Sequence, residues 1–323
     1  MLDRRHFAIA VGSLALASGT SVFSQSYPAK PIRIIVPFPS GDLSDVIARL
    51  VALKLPELLG QPFVIENRPG ASGQLGLQLA LQAEADGYTF VMGQMGSMAV
   101  APILNKQPFD VRGSFVPVAL MYSNYLLLAA HPDFPPKTIP ELIAYSKANP
   151  GKVRLGTNGE GGFPHLAAEL LKSRSGFEFS HIPYKGNAQS ITDVIGGQLE
   201  MTIAGYSSLY SHVQTGRLKG IGVTGARRPA NAPDIAAIGE SVDGYEALGW
   251  FGLFARKGTP APVIDKVNAA VNTVLEMPDV VERAKVLGLD LASRTPQAFE
   301  TVWARDYAKW GQIIRGLKLD GSK

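Results

Sequence analysis

The chain has 323 residues and no cysteine, so a small disulfide-stapled scaffold and a thiolate metal site are both excluded. Hydrophobic residues make up 46% of the sequence, which is enough for a packed core and excludes wholesale disorder. The formal net charge is only +4, from 31 basic and 27 acidic residues, and gives no electrostatic basis for binding nucleic acid. The length predicts one large domain or two of ordinary size.

The first segment, residues 1–26, has the pattern of a secretory signal peptide. The pair Arg4-Arg5 precedes the modest apolar run Ala8–Ala17, and small polar residues follow, so a twin-arginine signal is one interpretation. Cleavage is expected after Ser24 or Ser26. The alternative is a buried N-terminal helix. No later run reaches the ~18 apolar residues of a membrane span, so we expect an exported, soluble mature protein.

Strand and helix signals then alternate along the chain. Three β-branched or apolar runs predict strands, and two segments with helical apolar spacing follow the first two of them. The strands are Ile32–Val36, Phe63–Glu66 and Tyr88–Met92, and the helices are Asp45–Leu55 and Gln74–Ala83. This alternation predicts a mostly parallel sheet flanked by helices.

Two long apolar runs, Val118–Ala130 and Leu248–Ala255, flank a second stretch of strand–turn–helix alternation. If both runs cross between lobes, the chain builds one lobe, then a second, and then returns to the first. This interpretation predicts lobe I over residues 27–124 plus 252–323, and lobe II over 125–251. The alternative is a single sheet with an insertion.

Each predicted lobe contains a glycine-rich turn between a strand and a helix. These turns are Pro37–Ser44 and Thr157–Gly162. The first turn of a helix leaves N–H groups without partners and carries a partial positive charge, so it attracts anions. Two such turns facing one cleft would hold a carboxylate with neutral donors, whereas the alternative is two ordinary strand-to-helix connections.

Other motifs support neither an enzyme nor a cofactor site. Gly70-x-x-Gly73-x-x-Gly76 is not the dinucleotide fingerprint, and Gly96-Ser97-Met98 lacks the spacing of a nucleophile elbow. The histidines show no paired ligand spacing, so no metal site and no cofactor are predicted.

Several residues near the turns have two interpretations. His165 can contact a ligand or have a structural role, and Lys185 can attract an anion or lie on a solvated turn. Asn67 and Ser72 can donate hydrogen bonds to a ligand or cap a turn. Other residues at strand ends belong either to the core or to a partly apolar pocket wall: Met95, Met98, Phe163 and Tyr206.

Six consecutive motifs resemble the Bug family, the extracytoplasmic solute receptors of tripartite tricarboxylate transporters. They are Tyr27–Phe38, Gly60–Gly73, Ala85–Thr89, His165–Leu171, His181–Gly186 and Gly216–Thr224. The resemblance implies a two-lobed periplasmic binding protein with an α/β fold of the type II-like Venus-flytrap kind. Each lobe would contain a mixed sheet, and two crossover strands would connect the lobes. It implies no catalysis.

The resemblance also implies a carboxylate held between the lobes. Where the family usually has a second glycine, this chain has Asp42, which either adds negative charge near the ligand or caps a helix. The expected ligand-binding residues are Phe38, Ser40, Gly41, Asp42, Leu43, Ser72, Ser97, Met98, Thr157, Asn158, Gly161, Gly162, His165, Lys185, Gly186, Asn187 and Tyr206.

The expected function is a monomeric periplasmic receptor that delivers a di- or tricarboxylate to the membrane permease subunits of such a transporter. Methionine and aromatic residues near the loops favour an aromatic dicarboxylate such as terephthalate. One alternative is a secreted hydrolase of acid esters, with His165 paired to Ser72 or Ser97. Another is a receptor that signals to a sensor kinase.

Overall fold

The computed structural model describes residues 27–105, 108–229 and 233–321, and the predicted signal peptide lies outside these ranges. Eleven strands are present in the described chain. They are β1 (Ile32–Val36), β2 (Phe63–Asn67), β3 (Thr89–Gln94), β4 (Phe115–Asn124), β5 (Leu126–Ala130), β6 (Arg154–Thr157), β7 (Ser180–Pro183), β8 (Met201–Gly205), β9 (Lys219–Val223), β10 (Gly249–Arg256) and β11 (Asp290–Leu291).

The strands form two separate mixed sheets. The first has the order β11-β4-β10-β3-β1-β2, and the second has the order β7-β6-β8-β5-β9. In the first sheet β1 is parallel to β2 and β3, whereas β10 is antiparallel to β3 and β4. In the second sheet β6 is parallel to β7 and β8, whereas β5 is antiparallel to β8 and β9. The predicted two-lobed α/β fold with a mixed sheet in each lobe is confirmed.

Helices cover the sheets. They are α1 (Leu43–Ala52), α2 (Leu55–Leu59), α3 (Gln74–Gln82), α4 (Ala101–Leu104), α5 (Val111–Ser114), α6 (Ile139–Ala148), α7 (Phe163–Ser175), α8 (Asn187–Ile195), α9 (Tyr206–Gln214), α10 (Ala261–Leu275), α11 (Pro278–Val286) and α12 (Pro296–Gly316). A π-helix at Gly96–Val100 precedes α4, and short 3-10 turns occupy Ala71–Gly73 and Ile238–Glu240. None of the helices in the described ranges combines the length and apolar character of a membrane span.

Burial explains why these segments form strands and helices. Strand β1 is a run of β-branched residues whose Ile32, Ile34 and Ile35 are almost fully buried, as expected for a strand covered on both faces. Helix α1 buries Ile47, Ala48 and Val51 on one side, and its opposite side faces solvent. The apolar periodicity therefore predicts these elements correctly.

The two long apolar runs lie where the chain passes between the sheets. The first divides at Tyr125, with β4 in the first sheet and β5 in the second. On the return, the Ala247 amide still bonds to Thr224 in the second lobe, and Gly249 already pairs with Asn124 in the first sheet. Residues 249–251, which the sequence analysis placed in lobe II, therefore pair with the first sheet, because β10 begins at Gly249.

The lobes touch each other near this crossing. The rings of Phe163, at the start of α7, and Trp310, in α12, meet edge to face with centroids 5.7 Å apart. A Cβ atom on Gly161 would lie 3.2 Å from Leu104 of the other lobe. One continuous hydrophobic cluster contains residues of both lobes. The segment before α7 is therefore in direct contact with the first lobe.

Candidate functional site

A cleft of about 450 Å³ lies between the two lobes. It is lined by segments that follow β1, β2 and β3 in the first sheet and β6 in the second. The described lining residues are Phe38, Ser72, Gln94, Gly96, Ser97, Val100, Ala101, Leu104 and Asn105 from the first lobe, and Glu160, Gly161, Gly162 and Phe163 from the second. Ligands of open α/β sheets bind at such carboxyl ends of strands, so this cleft is the candidate site.

The first glycine-rich turn is held by one buried carboxylate. The side chain of Asp45 is only 2% exposed and accepts hydrogen bonds from the Gly41 amide (2.9 Å), Asn67 Nδ2 (2.8 Å) and Arg49 Nε (2.9 Å). Asn67 Nδ2 also donates to the carbonyl of Phe38 at 3.1 Å. The end of β2 is thereby tied to the turn, which positions Phe38 at the cleft.

The pKa of Asp45 reflects this environment. Burial by itself would raise the pKa of the carboxyl group, but the hydrogen bonds from Arg49, the Gly41 amide and Asn67 stabilise the ionised form and lower the pKa to about 2. The carboxylate is therefore charged at neutral pH. The turn depends on that charge because all of these donors point at it.

Three amides of this turn already have acceptors within the chain. The Gly41 amide donates to Asp45 Oδ2, the Asp42 amide donates to Pro39 O (3.2 Å), and the Ser44 amide donates to Asp42 Oδ1 (2.9 Å). Asp42 is the N-cap of α1, so of the two roles expected for this residue, a charge near the ligand or a helix cap, the structure shows the cap. The Gly41 and Asp42 amides, which the sequence analysis assigned to a ligand, are therefore used to build the turn.

A second strained turn brings Ser72 to the cleft. Ser72 and Ala71 have positive φ values of 55° and 47°, a conformation that non-glycine residues rarely adopt and that is concentrated at functional sites. Gly73, with φ +92°, packs so closely that a Cβ atom there would lie 3.1 Å from Ser97 Cβ and 3.3 Å from Phe38 Cζ. The absence of a Cβ atom at Gly73 therefore allows Ser72, Ser97 and Phe38 to lie close together at the cleft.

The π-helix at Gly96–Val100 contributes Gly96, Ser97 and Val100 to the first-lobe wall of the cleft. Such helices occur frequently at functional sites. Ser97 is buried, and its hydroxyl donates to Gln94 O at 3.2 Å. Met98, an expected wall residue, is instead fully buried in the core, and its carbonyl accepts from Trp303 Nε1 at 2.9 Å. Its apolar side chain packs inward because the π-helix turns it away from the opening.

The second glycine-rich turn is braced from within its own lobe. Gly159 and Gly161 have positive φ values, and the Gly161 amide donates to Nδ1 of His165 at 3.0 Å. A Cβ atom on Gly162 would come within 2.6 Å of Asn158 Oδ1, so a larger residue here would require the Asn158 side chain to move. His165 is 5% exposed. It supports the turn from beneath rather than lining the cleft.

A pair of stacked histidines lies under this turn. The rings of His165 and His181 are parallel to within 5° with centroids 3.8 Å apart, and His181 Nε2 lies 2.7 Å from the hydroxyl of the buried Thr157. Burial and the neighbouring His165 lower the pKa of His181 to about 4, against the opposing effect of Glu160 and Glu169. No group of three or more potential metal ligands occurs within the described ranges.

The remaining expected residues lie outside the cleft. Gly186 is the N-cap of α8, and Asn187 lines a separate groove of about 470 Å³ between α8 and α9. Tyr206 is buried at the start of α9, with its ring stacked on Tyr210. The expected residues that line the cleft are Phe38, Ser72, Ser97, Gly161 and Gly162; those that do not are Ser40, Gly41, Asp42, Leu43, Met98, Thr157, Asn158, His165, Lys185, Gly186, Asn187 and Tyr206.

Other lining residues were not identified from the sequence. Among them, Gln94 and Asn105 offer amide groups, and Val100, Ala101 and Leu104 offer apolar surface. Gln94 ends β3 in the structure, two residues beyond the end of the predicted strand, so the strand-end rule could have selected it only with the correct strand boundary. The sequence contains no periodic pattern that would have predicted the π-helix at Gly96–Val100.

The described residues do not form a nucleophile–base pair. The Ser97 hydroxyl donates to a carbonyl, and Nδ1 of His165 accepts a backbone amide while its Nε2 faces Glu169 at 3.7 Å. No hydrogen bond joins Ser72 or Ser97 to His165 within the ranges that the structure describes. The serine hydroxyls are therefore not activated by this imidazole in the way a hydrolase requires.

Comparison with known proteins places the chain in a family. Residues 47–319 match the description "Tripartite tricarboxylate transporter family receptor". The protein BugT of Bordetella pertussis is 32% identical over 303 residues, which cover 92% of this chain and 93% of BugT.

Solved structures show the same relationship. A TctC solute-binding protein from Polaromonas has a TM-score of 0.83 and 28% identity, covering 90% of this chain and all of that one. R. palustris Rpa4515 with adipate has a TM-score of 0.71 and 30% identity, with coverage of 91% and 98%. MatC from Rhodopseudomonas palustris with bound malate has a TM-score of 0.69 and 28% identity, with coverage of 89% and 100%. The chain belongs to the receptor family of the tripartite tricarboxylate transporters.

Proposed function

We propose that this protein is a periplasmic receptor that binds a small organic carboxylate in the interlobe cleft and delivers it to a tripartite tricarboxylate transporter permease. The observation that carries the proposal is the cleft itself, which is lined from both lobes at the ends of their parallel strands. Family membership supports the receptor role, and two similar proteins were solved with the carboxylates malate and adipate.

The cleft wall suits a small acid with an apolar body. Ser72, Ser97 and Gln94 supply hydroxyl or amide groups, and Val100 and Leu104 supply apolar contact. Hydrogen bonds to a carboxylate contribute roughly 1.5–3 kcal/mol each. A few of them, with the apolar contact, reach the −8 kcal/mol of a micromolar Kd after ordering losses.

Binding couples to the arrangement of the lobes. A ligand that contacts Ser72 in one lobe and Gly162 in the other binds the closed form better than an open one, so it shifts the population toward closure. A permease can then distinguish loaded from empty receptor by its shape. Export through the segment 1–26, action as a monomer and the absence of catalysis are parts of the same proposal.

The test is a thermal-shift screen of residues 27–323 with citrate, succinate, malate, adipate and terephthalate, followed by calorimetry on each acid that stabilises. A ligand at 100 times its Kd adds about 2.7 kcal/mol, which raises the melting temperature by several degrees. Ser72→Ala should weaken binding several-fold, and Ser211→Ala, on an exposed face of α9, should leave it unchanged. Absence of any stabilisation across a broad organic-acid panel would contradict the proposal.

A further inference from the structure

The charge in the cleft is carried by a single side chain. Glu160 is the one ionisable residue among the described residues that line it, and no lysine or arginine is among them. The side chain of Glu160 is exposed in the second turn, two residues before the N-cap of α7. The site for which a carboxylate ligand is proposed therefore already holds a carboxylate of its own.

No ion pair within the described chain neutralises this charge. The ion pairs of the described chain do not include Glu160. The titratable groups around the turn include His165, whose Nδ1 accepts the Gly161 amide, His181, whose pKa is lowered, and Glu169. Lys185 also lies nearby, since it follows Tyr184, whose carbonyl is 3.7 Å from a Cβ atom placed on Gly159. With its pKa lowered to about 4, the His181 imidazole is neutral at pH 7 and does not offset the charge of Glu160.

Glu160 also changes the role expected of the helix behind it. The positive end of α7 would attract an anion, but the carboxylate of Glu160, two residues before the N-cap, adds an opposing negative charge near that end. The Gly161 amide is turned to His165, so it is not offered to the cleft. The side-chain donors on the described walls, which include Ser72 and Gln94, all lie on the first lobe.

The cleft is therefore polar across its width, with donors on one lobe and an acceptor on the other. Building on the proposed function, we propose that Glu160 determines charge selectivity. The preferred ligand carries one carboxylate, held by the first lobe, and a hydrogen-bond-donating far end, an ammonium or a carboxamide, directed at Glu160. A second carboxylate at that end meets a like charge and is disfavoured about tenfold, the effect of one charge at about 6 Å in a partly hydrated cleft.

The test compares length-matched acids by calorimetry at pH 7.5: succinate with 4-aminobutanoate, glutarate with 5-aminopentanoate, and adipate with 6-aminohexanoate. The monoamide of adipate separates the effect of charge from that of hydrogen-bond donation. The proteins are the wild type, Glu160→Gln and, as a charge-matched control, Asp133→Asn. The Asp133 side chain is 93% exposed on the same lobe.

The wild type should bind the amino acid about tenfold more tightly than its diacid in at least one pair, and Glu160→Gln should remove that preference by tightening the diacid. Asp133→Asn should keep the wild-type ratio. An unchanged ratio in Glu160→Gln, or a wild-type preference for the diacids, overturns the selectivity while leaving the carboxylate receptor intact. Binding of none of these acids by the wild type, together with a blank result in the broad screen, overturns both proposals.

Discussion

The Nδ1 atom of His165 accepts the backbone N–H of Gly161 at a distance of 3.0 Å. One residue of helix α7 thereby determines the course of the turn that precedes the helix and lines the cleft. Because Gly161 and Leu104 of the other lobe line the same cleft, this hydrogen bond connects the interior of the second lobe to the interface between the lobes.

Replacement of this acceptor should loosen the second turn. His165→Ala leaves a buried amide without a partner, which costs about 1–3 kcal/mol of stability, and it should weaken ligand binding at least several-fold. His165→Asn should restore part of both losses, since its side-chain oxygen can reach the same N–H. Denaturant unfolding and calorimetry measure the two effects, and His212→Ala on α9 is the control. Equal losses for His165→Ala and His165→Asn would contradict this role.

Acid should destabilise the protein through Asp45. The pKa of this carboxyl group is about 2 in the folded chain, below its ordinary value of 3.8, so its contribution to stability is complete above about pH 4 and is lost as the pH falls toward 2. The contribution is about 1–2 kcal/mol, because the exposed guanidinium of Arg49 is screened by solvent. Asp45→Asn removes the titrating group and should show a shallower loss of stability over this range. An identical acid profile for Asp45→Asn would show that the hydrogen bonds do not stabilise the charged form.

Substitution of two glycines can distinguish the effect of backbone strain from that of steric crowding at the cleft. Gly60 and Gly73 both have positive φ values, but a Cβ atom meets nothing within 4 Å at Gly60 and lies 3.1 Å from Ser97 at Gly73. Gly60→Ala should lose about 1–2 kcal/mol of unfolding free energy with unchanged ligand affinity. Gly73→Ala should lose more and should also weaken ligand binding, because Ser97 and Phe38 must move. Calorimetry on the two folded variants checks this, and equal affinities would contradict the placement of these side chains at the site.

Tryptophan fluorescence should report the relative position of the lobes. Trp310 is fully buried and its ring packs on Phe163, which lines the cleft. A ligand that favours closure should shift the emission to shorter wavelength, since closure keeps this indole away from water. The shift should disappear in Trp310→Phe and persist in Trp303→Phe, whose indole is buried against Arg112 and Phe254 of the first lobe. A full shift in Trp310→Phe would assign the signal to another part of the molecule.

The acidic residue at position 42 shows what local patterns can and cannot establish. The sequence identified both possible roles of Asp42, because the cap follows from its position before a predicted helix and ligand contact follows from the family resemblance. The structure assigns the cap, since Asp42 Oδ1 accepts the Ser44 amide. Likewise, the sequence located the turns correctly, but it could not show that the Gly41 amide is bonded to Asp45.

By itself the sequence determined the strands that consist largely of β-branched residues and the glycine-rich turns after β1 and β6. It also carried the motifs that resemble the family. All of these depend on residues that are neighbours in the chain. Only the tertiary structure decided which side chains reach the cleft. The carbonyl of Met98 accepts a hydrogen bond from Trp303, 205 positions away, and Glu160 and Ser72 line the same cleft from lobes built on two separate sheets. Such relationships depend on the packing of distant segments, and no local periodicity encodes them.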